Sequence, residues 1–420
     1  MAQPSFRAPI GTRDVLPPES RRWELLVAEF AHLVGRAGYG LVQSPMFEDI
    51  EVFSRVGDAT DIVSKEMYEF DDKGGRRIAL RPEGTAPVVR AWVQHRPPLP
   101  FKAWYVAPSF RYERPQAGRY RQHHQLGIEA LGVEDPDLDV EVISLAWDSM
   151  SAIGLNRVVL LLNSLGDPAS RDAYRAALVD HFAPRRGDLN PTDRQRLDQN
   201  PLRLLDSKDP DTLALVAGAP TTIHLLNEES RGHFDRVQEG LRALDIPFVL
   251  EPRLVRGLDY YTHTLFELQA SALEGAQNAV GGGGRYDGLV EALGGPPTPG
   301  VGFGLGIERM LLAAEAERTM PEGDGPVQVF VVDTTDGSVA RDLTHQLRRA
   351  GVGADRAWGG RSMKAQFKAA DRSGARLVLV VGDDEVERGM VAVRDLRGGD
   401  DQIEIPGPET VERVKELLTR

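Results

Sequence analysis

The sequence has no cysteine among its 420 residues, which excludes disulfides and any site that needs a thiolate as nucleophile or zinc ligand. It has no uninterrupted apolar run of about 18 residues, so no membrane-spanning helix is expected. The opening MAQPSFRAPIGTRD lacks a basic flank followed by an apolar core, so no signal peptide is expected either. Internal repeats and low-complexity segments are also missing. What remains is a cytoplasmic globular chain long enough for two or three domains with ordinary cores. Positive charge is in deficit: the formal net charge of −13 argues, taken alone, against a nucleic-acid partner. Local charge differs. Residues 341–376 carry nine Lys and Arg against three Asp, a balance of +6, and residues 102–121 carry five against one Glu, a balance of +4. Solvated helix faces carry such runs, but so do surfaces that meet polyanions.

Three segments combine apolar periodicity with polar groups that a core does not need. Residues 254–267, LVRGLDYYTHTLFE, read as a strand, yet they hold Arg256, Asp259, Tyr260, Tyr261 and His263 in an apolar, β-favouring frame. Such a strand lines a pocket for a small polar ligand, and Arg256 implies that the ligand is anionic. Residues 101–132 read as an antiparallel hairpin, with strands at 104–112 and 120–131 and the breakers Pro115 and Gly118 between them. Residues 300–313, GVGFGLGIERMLLA, read as a strand entering an amphipathic helix. Ile307, Met310 and Leu311 turn one way and Arg309 sits in the first turn. The run Gly281–Gly284 lacks the lysine and the glycine spacing of phosphate-cradling loops. It is read as close backbone approach around a pocket, near Arg285, Tyr286 and Asp287. His123 and His124 have no accompanying ligand pattern, so no metal site is expected, and their roles are structural or close to bound nucleic acid.

Residues 1–317 read as one domain, with a strand at 158–163, a helical insertion at about 183–245 and a return to strand at Phe248. A polar, Gly- and Pro-rich linker covers 318–326. Beyond it, residues 327–420 alternate apolar strands at 327–333 and 376–385 with helices at 338–350 and 362–373, the pattern of an α/β domain with a largely parallel sheet.

Together these segments resemble the three signature motifs of class II aminoacyl-tRNA synthetases, and in particular the histidyl-tRNA synthetase family. Motif 1 corresponds to about 21–45, a helix at 21–37 and a strand ending at Pro45. Motif 2 corresponds to about 101–132, with FRYERPQAGRYRQHHQ at 110–125, and motif 3 to about 300–313, with GFGLGIER at 302–309. LVRGLDYY at 254–261, GGRYDGLV at 283–290 and RPEGT at 81–85 complete the likeness, which runs from about Gly11 to the C-terminus. It implies a fold of mixed α/β and α+β domains: a class II antiparallel-sheet catalytic core with a helical insertion, and a C-terminal anticodon-binding domain.

The resemblance further implies activation of L-histidine by ATP, with Mg2+, to the adenylate and pyrophosphate, then transfer to tRNA(His), by a homodimer built through motif 1. Charge developing on a phosphoryl group is met by preorganised guanidinium forks, each worth about 3 kcal/mol in a dry site. By resemblance Arg111 grips the α-phosphate, Arg309 the γ-phosphate, and Arg256 bridges the histidine carboxylate and the α-phosphate, while Glu113 meets adenine. Glu83, beside Gly84 and Thr85, holds the substrate ammonium. Gln125, Glu129, Tyr260 and Tyr261 line the rest of the pocket, and strand alternation implies that one tyrosine hydroxyl faces the ligand. Gln116 and Arg119, at the hairpin tip, reach the acceptor end of tRNA; His263 has no assigned role. The alternatives are a non-catalytic histidine-binding regulatory subunit of ATP phosphoribosyltransferase, another class II synthetase, and a generic ATP-dependent ligase. Arg111, Arg256, Arg309 and the domain after Pro326 weigh against the first. LVRGLDYY and GGRYDGLV weigh against the other two.

Overall fold

In the computed structural model the described residues are 6–57, 60, 62–205, 207, 209–273, 278–319, 325, 327–398 and 402–419. The chain divides into two compact units, 1–320 and 321–420.

The first unit is built on an eight-stranded sheet. Its strands, in spatial order, are Gly40–Leu41, Phe101–Phe110, Gln122–Leu131, Gly300–Gly306, Ala279–Arg285, Thr262–Ala270, Val158–Ser164 and Val249–Leu250. The inner strands pair antiparallel, and only the two short outermost strands run parallel to their neighbours. Because strand side chains alternate between faces, one register decides the whole architecture. On Gln122–Leu131, Leu126, Ile128 and Ala130 turn to the apolar face, joined by Val301, Phe303 and Leu305 and by Phe266 and Leu268. The helices Glu19–Arg36, Pro136–Ala152, Glu228–Ala243 and Ile307–Glu317 cover that face. Ile307 and Met310 are fully buried there and Leu311 packs at the margin, as the periodicity predicts.

The opposite face takes the alternate residues, among them Gln125 and Glu129, and is partly covered by the helix Thr85–His95, whose Val88 packs with Ala103, Tyr105 and Ala107. A smaller sheet, Phe47–Asp49, Arg77–Leu80 and Tyr68–Asp71, lies beside it in the chain. The helical stretch between the strands ending at Ser164 and beginning at Val249 has its own apolar cluster, from Tyr174 to Ala219, whereas Phe234, Val237 and Leu241 join the main core.

Two sequence expectations give way here. The strand expected to end at Pro45 is only Gly40–Leu41. Residues 254–261 form no strand; the strand starts at Thr262. The β-favouring side chains of that loop pack against neighbouring clusters rather than into a ladder, Leu254 and Tyr261 in one and Val255 in the helical region's own.

The second unit has a five-stranded sheet in the order Ala354–Arg356, Val329–Asp333, Leu377–Val381, Met390–Asp395, Gln402–Pro406. The first three strands are parallel and the last two antiparallel, so the sheet is mixed rather than largely parallel. Two apolar clusters, one on each face, give the unit its own core.

Candidate functional site

A cleft opens over the middle strands of the large sheet, and its floor is glycine. Gly302 and Gly304 lie in register with Glu129 and Gly127, and Gly282 with Gly304. A methyl group at Gly302 would stand 2.0 Å from Glu129 Oε2, and one at Gly282 would stand 3.0 Å from the Arg256 guanidinium carbon. The glycine run is therefore a close-approach floor. Arg111, Glu113, Arg119, His123, Gln125, Arg256 and Arg309 line the walls above it.

The arginines come from three separate segments. Arg111 follows the strand Phe101–Phe110 and its Nε donates to the Pro82 carbonyl at 2.9 Å. Arg309, in the first turn of Ile307–Glu317, donates through Nε to the Gly118 carbonyl at 3.2 Å and through Nη1 to the Ala279 carbonyl at 2.6 Å. Arg256, on the loop before Thr262–Ala270, donates through Nη1 to Glu267 Oε2 at 2.5 Å. Burial pulls the Arg309 pKa down, and the charges of Arg119 and Arg111 pull it further. Burial is also the first cause of the lowered pKa of Arg111. Cations that repel one another and are oriented by neutral carbonyls form a place for an anion of several charges. His123, pushed well below the usual imidazole range by burial and by Arg111 and Arg309, adds no charge there.

Beyond Gln125 the surroundings change sign. Glu83 is 5% exposed and accepts from the backbone N–H groups of Thr85 at 2.5 Å and Ala86 at 2.8 Å, the free amides at the start of Thr85–His95. Gly84 packs edgewise on Tyr105, whose ring would stand 2.3 Å from a Cβ at that position. Glu129, fully buried, accepts from Thr85 Oγ1 at 2.7 Å, Tyr105 Oη at 3.3 Å and Tyr286 Oη at 2.5 Å. Burial raises both carboxyls, Glu129 to about 8, and the hydrogen bonds to each, with the charge of Arg111 acting on Glu83, offset it only in part. The Tyr260 and Tyr261 rings meet at 4.7 Å. Both are in the loop, so strand alternation does not separate them, and burial followed by the charge of Glu83 pushes the Tyr260 phenol well up. Gln125 accepts from Ser109 Oγ at 3.3 Å.

Other sequence candidates have protein partners of their own. Glu113, matched by resemblance to adenine, is ion-paired with Arg119, which folds back from the hairpin tip, while Gln116 stays exposed. Arg285, taken as close to the pocket, is 1% exposed and ion-paired with Asp139 in the helical layer. His124 is structural: its backbone N–H and Nδ1 meet Glu308 at 3.0 and 2.9 Å. The sequence reading missed Tyr105 and Glu267, and it named Tyr286 as near the pocket without its bond to Glu129. Strand alternation from Gln125 and Glu129 puts Tyr105 on their face and was a usable signal for it; the partners of Tyr286 and Glu267 are set by tertiary contacts alone. In the second unit it missed Trp358, 61% exposed with the Arg356 guanidinium 4.1 Å from its ring centroid.

Comparison with known proteins gives consistent matches. The family model for histidyl-tRNA synthetase matches residues 11–310, and that for an anticodon binding domain matches residues 327–417. The histidine–tRNA ligase of Geobacillus kaustophilus is 49% identical over 424 residues, 99% of each chain. That of Desulforudis audaxviator is 50% identical over 414 residues, 97% of this chain and 98% of the relative. The solved structure of apo histidyl-tRNA synthetase from S. aureus superposes with a TM-score of 0.82 at 37% identity, covering 98% of this chain and 100% of the other.

Proposed function

The chain belongs to the histidyl-tRNA synthetase family, a ligase acting on histidine, and from that premise we propose how its cleft divides the work. Histidine lies with its ammonium toward Glu83 and its imidazole among Glu129, Gln125, Tyr260 and Tyr261. ATP lies across the arginines, with Arg111 at the α-phosphate and Arg309 at the γ-phosphate. A carboxylate oxygen of histidine attacks the α-phosphorus and the bond to the β-phosphate oxygen breaks, releasing pyrophosphate. Arg256 bridges attacking carboxylate and α-phosphate, where the charge grows. A terminal ribose hydroxyl of tRNA then attacks the carbonyl carbon of the adenylate, and AMP leaves.

The observation that carries this reading is the change of sign along one cleft: the guanidinium groups of Arg111 and Arg309, bonded to main-chain carbonyls, at one end and the buried carboxyls of Glu83 and Glu129, bonded to amides and hydroxyls, at the other. Histidine has a cationic end and an anionic end, and ATP extends the anion. Buried polar groups that match an imidazole reject substrates lacking it by about 10⁴ to 10⁵, because they would be left unpaired. Mg2+ enters with the triphosphate and neutralises part of its charge; among the described residues no cluster of three His, Asp or Glu side chains fits a resident metal. The regulatory-subunit alternative is not favoured, since relatives matched across nearly the whole chain are ligases.

The second unit reads tRNA. Its +6 segment, residues 341–376, includes Arg356, which backs the exposed ring of Trp358, a surface suited to stacking an unpaired base. Gln116 and Arg119 meet the acceptor end. Exposed Leu41, Met46 and Phe47, in and just after motif 1, support a homodimer built through that segment. No helix among the described residues is long and apolar enough to cross a membrane, and the absence of cysteine goes with a cytoplasmic setting.

Pyrophosphate exchange into ATP with each amino acid singly tests the activation step, and exchange that is not confined to histidine overturns the pocket assignment. Removing residues 326–420 is expected to leave exchange largely intact while charging of tRNA falls steeply. Undiminished charging overturns the role given to the second unit.

A further inference from the structure

We infer that Arg203 is a positioning residue for histidine activation, acting through the backbone of the loop that carries Arg256, Tyr260 and Tyr261. The inference rests on the proposed placement of histidine and ATP against those side chains. A loop without a strand partner leaves carbonyl groups that need donors, and here the donors come from the helical region. Arg203 Nη1 donates to the Arg256 carbonyl at 3.2 Å, and Nη2 donates to the Gly257 carbonyl at 2.9 Å and to Asp259 Oδ1 at 3.0 Å. Arg171 Nη1 reaches the Tyr261 carbonyl at 3.4 Å. One planar guanidinium thus holds three acceptors spread over four residues, a geometry that a single ammonium cannot reproduce.

The clamp is itself anchored. Arg203 lies in the turn Pro201–Leu204, and its neighbours Leu202 and Leu204 are 4% and 0% exposed in the cluster formed with Tyr174, Leu178 and Phe182. Val255, from the loop, packs on the same cluster. Arg256 is therefore fixed at two points: Glu267 holds its guanidinium and Arg203 holds its carbonyl. Arg203 and Arg171 share a small cavity with Arg256 and Tyr261 and do not line the cleft that holds Arg111 and Arg309; their bonds to the loop are to its carbonyls and to Asp259.

Full-length Arg203→Ala, Arg203→Lys, Leu197→Ala and Arg256→Ala are compared with the parent by pyrophosphate exchange at varied histidine and ATP, with active sites titrated. Arg203→Ala is expected to raise the KM for histidine about tenfold and to lower kcat at least as much, with the KM for ATP within about twofold, since displacing a reacting group by a fraction of an ångström has costs of this order. Arg203→Lys restores part of the loss. Leu197→Ala truncates a side chain of the same apolar cluster but removes no hydrogen bond to the loop, so it lowers Tm but leaves the KM for histidine unchanged. If Arg203→Ala matches the parent while Arg256→Ala is inactive, the clamp is wrong and the reading of the cleft stands. If Arg256→Ala is fully active, that reading fails and the inference fails with it. Should Arg203→Ala not fold, Arg203→Lys decides: parental values overturn the inference. An equal rise in histidine KM for Leu197→Ala also overturns it.

Discussion

On the arginine wall of the cleft, Arg111 and Arg309 donate to the main-chain carbonyls of Pro82, Gly118 and Ala279, whereas on the carboxylate wall Glu83 and Glu129 accept from main-chain amides and from hydroxyls. The two walls carry opposite charge but use the same device. Neutral dipoles fix the direction of each charged group and leave its net charge unspent. An ion pair would fix the direction too, but it would cancel the field that a substrate is meant to feel. Arg119, paired with Glu113, is one exception; Arg256 is the other, since Glu267 is bonded to it. It stands where the walls meet and needs direction more than surplus charge.

The largest expected effect falls at that meeting point. Arg256→Ala is expected to slow adenylate formation by about 10² to 10³ with little change in ATP binding, as befits a donor whose contact strengthens in the transition state. Single-turnover rates within threefold of the parent would remove Arg256 from the chemistry and leave the walls as two independent binding sites.

Glu83→Gln tests whether the walls are separate in their ligands. Losing the carboxylate is expected to raise the KM for histidine about tenfold or more while that for ATP stays nearly constant, because a charge-assisted hydrogen bond is worth about 1.5–3 kcal/mol. The structure adds a second expectation: Glu83 also caps the helix Thr85–His95, so Tm should fall modestly. Equal weakening of both substrates would make Glu83 a structural cap alone.

A smaller effect should appear without any substrate. The folded protein holds the Glu129 proton up to about pH 8, whereas the free carboxyl loses it near 4.5. Between these values the folded state binds more protons than the unfolded state, so Glu129 makes stability fall as pH rises through that window. Gln at 129 has no proton to lose. The Tm difference between Glu129→Gln and the parent should therefore shift in favour of the variant from pH 5 to pH 8, while its KM for histidine rises. A pH-independent difference would show that the hydroxyls compensate the carboxylate charge fully.

Much of this cleft could be read from local pattern. The hairpin, the strand leading into Ile307–Glu317 and the helical character of residues 183–245 follow from periodicity and breakers, which depend on neighbouring residues. The loop 254–261 did not follow, because leucine, valine and tyrosine favour a strand and the donors that hold it open, Arg203 and Arg171, are distant in the chain. Glu129 was singled out, but its hydroxyl partners come from two other elements, Tyr105 from the middle of Phe101–Phe110 and Tyr286 from just past Ala279–Arg285, and Arg285, beside Tyr286, turned to the helical layer to meet Asp139. Local preference could suggest which residues are polar in an apolar frame. It could not say which of them face one another.

The bond from Glu308 to His124 joins the base of the hairpin to the first turn of Ile307–Glu317, and His124 stands in register with Pro108, three residues before Arg111. Arg309 is the next residue after Glu308. The elements that carry Arg111 and Arg309 are thus locked together like the jaws of a set calliper, and their span is a length standard cut into the protein. With ATP placed as proposed, a nucleoside diphosphate is one phosphoryl group short of it. Such a ligand should touch one jaw at a time and compete with ATP far more weakly than the loss of a single contact would suggest.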